Sequence, residues 1–186
     1  MKKSILLFTL AAALFTTGCA KKPAQPEAAP VVQNEQVAQE EVNSVVKTLP
    51  ASVAGKDVVA KLAEIYKGKV VLIDFWATWC GPCRMAMKQI HDIKPELEKK
   101  GCVFVYITGE SSPLDTWKEM IAGISGEHYR LTEQQWGEMC ESLNIPGIPS
   151  YLLLGKDGKP AYDNLSQGGY PGSEVLKNNI EVALTK

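Results

Sequence analysis

The chain is 186 residues long and carries 20 Lys and Arg against 21 Asp and Glu, a formal charge of −1. That balance, with no block of like charge, excludes the basic footprint of a nucleic-acid binder. With a leader and a tether set aside, about 140 residues remain, which suits one domain with a sizeable core.

Met1-Lys2-Lys3 is a basic start, and Ile5 to Phe15 is an apolar run of signal-peptide length, too short to span a bilayer. It ends in Thr16-Thr17-Gly18-Cys19, which resembles the bacterial lipoprotein cleavage box, with Thr16 where Leu is usual. The resemblance implies a leader over 1–18 and a lipid on Cys19, giving a stable membrane anchor once several acyl chains are present. The other reading is an ordinary signal peptide with Cys19 incidental. Ala20 rather than Asp behind that cysteine favours the outer membrane by enterobacterial sorting habit. Residues 19–44, rich in Ala, Pro, Gln and Glu without a period, read as a disordered tether spanning roughly 30 Å on average. The folded domain is then 45–186.

Within it, a short strand falls at Val45-Val46 or Ser52-Val53. Lys56 to Tyr66 reads as a helix with Val58, Val59, Leu62, Ile65 and Tyr66 inward, closed by Gly68. Val70 to Phe75 is a continuous apolar run with one charge, Asp74, and reads as a buried strand. It feeds into Cys80-Gly81-Pro82-Cys83, where Gly81-Pro82 supply a tight turn. Ala86, Ile90, Ile93 and Leu97 then recur at helical spacing, and Pro95 should kink or break that helix. Cys80 would sit near a helix N-terminus, where unpaired N–H groups and the macrodipole lower a thiol pKa. The first cysteine is then the exposed nucleophile and the second the resolving thiol.

Cys102 to Ile107 is a second buried strand, parallel to the first across the intervening helix. Residues 109–143 form a long excursion with two helices. One is capped by Ser112-Pro113-Leu114-Asp115 and runs to Ile121 or Ala122. The other is capped by Thr132 with Gln135 at N3 and runs through Leu143, with Trp136, Met139 or Cys140, and Leu143 inward. Ile148-Pro149 precedes the apolar strand Ser150 to Leu154. Gly155-Lys156-Asp157-Gly158 signals a hairpin into an edge strand at Pro160 to Tyr162. Gly168, Gly169 and Gly172 form a loop. Ser173 caps a last helix to Leu184, with Val175, Leu176, Ile180 and Leu184 inward.

The run from Asp74 to Cys83, Asp-Phe-Trp-Ala-Thr-Trp-Cys-Gly-Pro-Cys, resembles the active-site strand and turn of the thioredoxin superfamily. Ile148-Pro149 matches its cis-proline loop, and the length of 109–143 is similar to the insertion of TlpA/ResA-type exported thiol-disulfide oxidoreductases. The resemblance implies an α/β, thioredoxin-like three-layer sandwich: a central mixed sheet, helices on both faces and a helical insertion before the cis-proline strand. It implies catalysis by Cys80 and Cys83 with Asp74 as proton acceptor. It implies a substrate surface of Trp79, Gly81, Pro82, Ile148 and Pro149, with Gly168 or Gly169 in the same groove. Two positions depart from the pattern: Lys88 stands where thioredoxins carry a proline, and Ala86 where many ResA-like reductases carry Glu.

The implied activity is reduction of disulfides in exported proteins, on the periplasmic side of a bacterial cell envelope. It needs no cofactor beyond the Cys80–Cys83 pair, but it needs a membrane electron donor and involves no nucleic acid. The alternative is a tethered module that binds a soft metal or a peptide without redox turnover. A zinc site would need two more ligands from Cys102, Cys140, His91 and His128, and no second Cys-x-x-Cys is present. Arg84 stands where haem attachment needs His. Cys102 and Cys140 read as buried apolar cysteines or as a second disulfide.

Overall fold

The computed structural model describes residues 43–186. The leader, Cys19 and all but the last two tether positions lie outside the described residues. The elements in chain order are β1 (Ser44–Lys47), α1 (Val58–Ile65), β2 (Val70–Phe75), α2 (Gly81–His91), α3 (Lys94–Lys99) and β3 (Cys102–Thr108). There follow α4 (Leu114–Ile121), β4 (Gly126–Arg130), α5 (Glu133–Ser142), β5 (Ser150–Leu154), β6 (Pro160–Asp163) and α6 (Ser173–Thr185). The strands form one mixed sheet in the order β1-β4-β3-β2-β5-β6. β1, β4, β3 and β2 are mutually parallel; β5 runs antiparallel to β2 and β6 to β5.

All six residues of β2 are buried, because the sheet is covered on both faces. The strand period of two divides them. Val70, Leu72 and Trp76 pack with Phe104, Tyr106, Tyr151 and Leu153 under α2, α4 and α6. Val71, Ile73 and Phe75 pack with Val105, Ile107, Leu152 and Leu154 under α1 and α5. This is the thioredoxin-like sandwich expected from the sequence, with α4 and α5 as the helical insertion before β5. The break before Pro95 is also present: α2 ends at His91, and Pro95 lies in the first turn of α3, where its missing N–H costs no hydrogen bond. The Thr132–Gln135 capping box is complete.

Several local expectations need correction. The excursion contains a strand as well as helices. β4 (Gly-Glu-His-Tyr-Arg) sits between β1 and β3, and its polar side chains are bonded rather than solvated. Tyr66 Oη donates to Glu127, and Arg130 Nε donates to the Ser112 carbonyl at 2.9 Å. Of the two N-terminal options, Val45-Val46 forms the strand. Ser112 and Ser173 are not caps: α4 starts after Pro113, and α6 after Gly172 at φ 100°. Ser173 Oγ instead donates to the Gln89 carbonyl and pairs with Tyr170 Oη at 2.6 Å. Gly81-Pro82 are not a separate turn but the first turn of α2. Ile65 and Val175 face solvent, since the sheet covers a narrower stripe of α1 and α6 than their apolar content suggests.

Cys102 and Cys140 are both unpaired. They pack on opposite faces of the sheet, so a second disulfide between them is ruled out. Burial pushes the Cys102 thiol up to about 12.

Two glycines test this packing. A Cβ on Gly55 would lie 2.3 Å from the Gln135 carbonyl oxygen and 2.5 Å from Glu138 Cβ, whereas one on Gly137 in α5 meets nothing within 4 Å. Gly55→Ala is therefore expected to destabilise by about 1–3 kcal/mol. Gly137→Ala is expected to stabilise by about 0.5–1 kcal/mol. Chemical denaturation of the two variants checks both signs.

Candidate active site

β2 delivers the chain from the centre of the sheet to the start of α2. Trp76 N–H still donates to the Ile107 carbonyl at 3.0 Å, which prolongs the sheet by one residue. The next residues are held from the side. Thr78 N–H donates to Ser112 Oγ at 3.0 Å, and that hydroxyl pairs with Thr108 Oγ1 at 2.7 Å. Cys80 N–H donates to the Ala77 carbonyl at 3.0 Å. Cys80 is thereby fixed as the N-cap of α2.

Cys80 and Cys83 form a disulfide, with Cα atoms 5.3 Å apart. The Cys83 N–H donates to Cys80 Sγ at 3.2 Å. A sulfur in that position is held by the helix's unpaired N–H groups and its positive end, both of which favour the thiolate once the bond opens. The sequence predicts an exposed Cys80. In the disulfide its exposure is only 4 %, and that of Cys83 is 0 %. The cause is the loop facing it: Cys80 Sγ lies 3.8 Å from the Ile148 carbonyl oxygen.

The Ile148–Pro149 bond of that loop is cis. The loop is held by groups the sequence reading did not single out. Buried Asn164 accepts from Tyr151 N–H at 2.8 Å and donates to the Gly169 carbonyl at 2.8 Å. Gly169 N–H donates to the Pro149 carbonyl at 2.7 Å. Gly168 and Gly169 have φ of 66° and 80°, a backbone that suits glycine, and they support the loop from behind. Asn164 follows an edge strand and precedes a glycine loop, so it reads as an ordinary turn residue; only the fold shows what it bonds.

Trp79 stands on the surface, 63 % exposed, with Nε1 donating to Ser111 Oγ at 3.4 Å, while Trp76 is fully buried. Gly81 is half-buried and Pro82 exposed at the rim. Trp79, Gly81 and Pro82 adjoin the cysteines in the chain, and the fold brings Ile148 and Pro149 to the disulfide.

Asp74 is the charged group of β2 and is 2 % exposed. The alternation that turns Leu72 and Trp76 toward α2 turns Asp74 to the same face, which also holds both cysteines. Its in-register neighbours are Tyr106 on β3 and Tyr151 on β5. Neither carboxylate oxygen has a hydrogen-bond partner among the described residues, and neither does Tyr151 Oη. Burial therefore holds the Asp74 pKa well above the usual carboxylate range, opposed by the charge of Lys94.

Lys94 has no signal in the sequence, where it looks like one of many surface lysines. It is 3 % exposed, its Nζ donating to Tyr106 Oη at 3.1 Å and to the Ser125 carbonyl. Burial lowers its pKa to about 8, against the charges of Glu98 and Asp74. His128, buried beside it and stacked on Tyr106 at 4.9 Å, is pushed down to about 4 by burial. His91 is exposed. No group of three or more His, Cys, Asp or Glu placed to hold a metal ion occurs among the described residues.

A helix-capping Cys-x-x-Cys disulfide, facing a cis-proline loop at one end of a mixed sheet, defines a dithiol–disulfide exchange protein. Comparison with known proteins agrees. A family model described as thioredoxin-like matches residues 68–159. The thiol-disulfide oxidoreductase ResA of Oceanobacillus iheyensis is 30% identical over 167 residues, covering 85% of this chain and 76% of that one. ResA of Bacillus cereus is 25% identical over 159 residues, covering 86% and 87%. A solved structure assigned as the thiol:disulfide interchange protein DsbE of Chlorobium tepidum superposes with a TM-score of 0.53 at 26% identity, covering 65% of this chain and 84% of that one. The thioredoxin domain of a Bacteroides vulgatus thiol-disulfide oxidoreductase shares the fold, with a TM-score of 0.55 at 23% identity, covering 65% and 83%. The chain belongs to the thioredoxin-like family of thiol-disulfide oxidoreductases, and its activity is dithiol–disulfide exchange through Cys80 and Cys83. Nothing in these relatives supports a metal- or peptide-binding module without turnover.

The raised pKa of Asp74 has a consequence for stability. Its folded value lies above the roughly 3.9 of an unfolded Asp, so folding takes up a proton between the two. Stability is full below about pH 4 and is lost as pH rises through the folded value, at up to roughly 1.4 kcal/mol per pH unit in that window. Asp74→Asn, of near-equal shape, removes the titration. Calorimetry of the oxidised proteins should show a Tm gain over wild type that is larger at pH 8 than at pH 4. An equal gain at both would mean that Asp74 is not held protonated.

Proposed function

We propose that the protein reduces disulfides of exported proteins at a bacterial cell envelope. Cys80 is the attacking thiolate, Cys83 the resolving thiol and Asp74 the proton acceptor. The observation that carries this reading is the buried Asp74 carboxyl, without a hydrogen-bond partner among the described residues, on the face of β2 that holds the Cys80–Cys83 disulfide.

In the reduced protein, Cys80 Sγ attacks one sulfur of a substrate disulfide; the other substrate sulfur leaves as a thiolate and takes a proton from solvent. Cys83 then gives its proton to the ionised Asp74 carboxylate and attacks Cys80 Sγ, which breaks the mixed disulfide. The second substrate sulfur leaves as a thiolate and takes a proton from solvent, Asp74 later returns its proton to solvent, and two electrons have passed to the substrate. A pKa raised by burial suits this acceptor, since it brings the carboxylate nearer to the operating pH. Ala86 leaves no acid one turn into α2 to share the role. Trp79, Gly81, Pro82, Ile148 and Pro149 form the surface that receives the substrate. The Ile148 N–H has no partner among the described residues, which supports pairing with an extended peptide as an added strand.

The reductive direction rests on Gly81-Pro82 between the cysteines and on Ile148 before the cis proline, the choices of thioredoxin. Thioredoxin lies at roughly −270 mV and DsbA at roughly −120 mV, about 7 kcal/mol apart for two electrons. A lipid on Cys19 and a tether over 19–44 would hold the domain at the membrane, with the outer membrane favoured by Ala20. A membrane donor would restore the dithiol, and no cofactor beyond the cysteine pair is needed.

Insulin-disulfide reduction and redox titration test the scheme. Cys80→Ser is expected to abolish turnover. Asp74→Asn is expected to slow resolution by about 100-fold or more and to accumulate mixed disulfide on non-reducing gels. Wild type should titrate near thioredoxin's potential. Retention of activity without Cys80, or a potential near that of DsbA, overturns the proposal.

A further inference from the structure

A groove opens beside the disulfide. It has a volume of about 680 Å3, begins at Gly81 between the two cysteines, and follows one stripe of α2 through Arg84, Met85 and Lys88 to His91. Met120 of α4 and Ile124 after it form the opposite wall. At its floor Lys94 is turned down onto Tyr106 and Ser125, so its ammonium is already bonded.

Three features of this groove belong together. No Asp or Glu lines it. Arg84 and Lys88, the exposed cations of its rim, form no ion pair among the described residues. Met85, between them on the rim, is 65 % exposed, and Met87 and Met120 add further thioethers. On a chain of net charge −1, the surface next to the reacting sulfurs thus carries two cations without counter-charges over an adaptable apolar lining. Such a lining tolerates varied side chains, while the cations select charge.

From Gly81 to His91 the stripe rises roughly 15 Å at 1.5 Å per residue, a span that extended polypeptide covers in about five residues. We infer that this groove binds the substrate segment flanking the reactive cysteine, and that it selects segments bearing acidic side chains within about five residues of that cysteine. The inference rests on the disulfide-reducing reading and adds a substrate class to it.

The test uses matched peptides, each closed by one disulfide, with Asp, Asn or Lys at the same three positions within about five residues of one cysteine. Wild type is expected to show a kcat/KM for the Asp peptide about tenfold above that for the Lys peptide at low ionic strength, a ratio that shrinks as salt is added. In Arg84→Glu/Lys88→Glu the ratio is expected to invert. A wild-type ratio of one, or a preference for the Asp peptide that survives charge reversal, overturns the groove while leaving the reductive reading intact. Failure to reduce any peptide, the neutral Asn peptide included, overturns the reductive reading and the groove together.

Discussion

A sheet covered on both faces has no place for a charge, and this protein puts a carboxyl in its central strand. Asp74 lies between two tyrosine rings in register, under α2, with neither oxygen hydrogen-bonded among the described residues. Desolvation raises its pKa, so the carboxylate binds a proton more readily than an exposed one. The layer that buries Asp74 also buries Cys83, so thiol and carboxyl lie on one buried face of the sheet. On the proposed mechanism, a proton leaving Cys83 has Asp74 on its own side of the sheet and bulk solvent beyond the helix.

The two halves of the site are fixed from outside it. Ser112, at the start of the insertion, binds the Thr78 N–H and the Thr108 hydroxyl, and its carbonyl accepts from Arg130. It therefore joins the end of β3, the approach to Cys80 and strand β4. Asn164, beyond β6, does the same for the cis-proline loop. Each bond contributes about 1 kcal/mol to stability, but leaving its buried partner unpaired costs about 1–3 kcal/mol. The insertion is thus part of the support for the reacting sulfurs as well as an addition at the sheet edge.

Where apolar period and chemistry agree, the sequence reads directly. β2, the Cys-x-x-Cys and α2 form one such stretch; Ile148-Pro149, β5 and its hairpin form another; Thr132 and Gln135 announce α5. The reading fails where tertiary partners replace water. β4 has no apolar run because Glu127 and Arg130 are bonded within the fold. Ser112 and Ser173 look like caps because their competing partners lie far away in the chain or outside the helix they precede. Lys94 is one turn-start lysine among many, and its burial depends on Tyr106 of β3 and Ser125 of the loop before β4. Asn164 acts on a loop that the chain leaves and returns to.

The position of β1 fixes how the domain transmits load. The described chain enters the sheet at Asn43 and runs parallel to β2, so it enters near the pole where β2 begins, while Cys80 lies past the end of β2. A pull applied before Asn43 and resisted by a protein disulfide-linked to Cys80 acts along the strands. It loads the β1–β4 ladder in shear, with all its hydrogen bonds stressed together rather than unzipped one at a time.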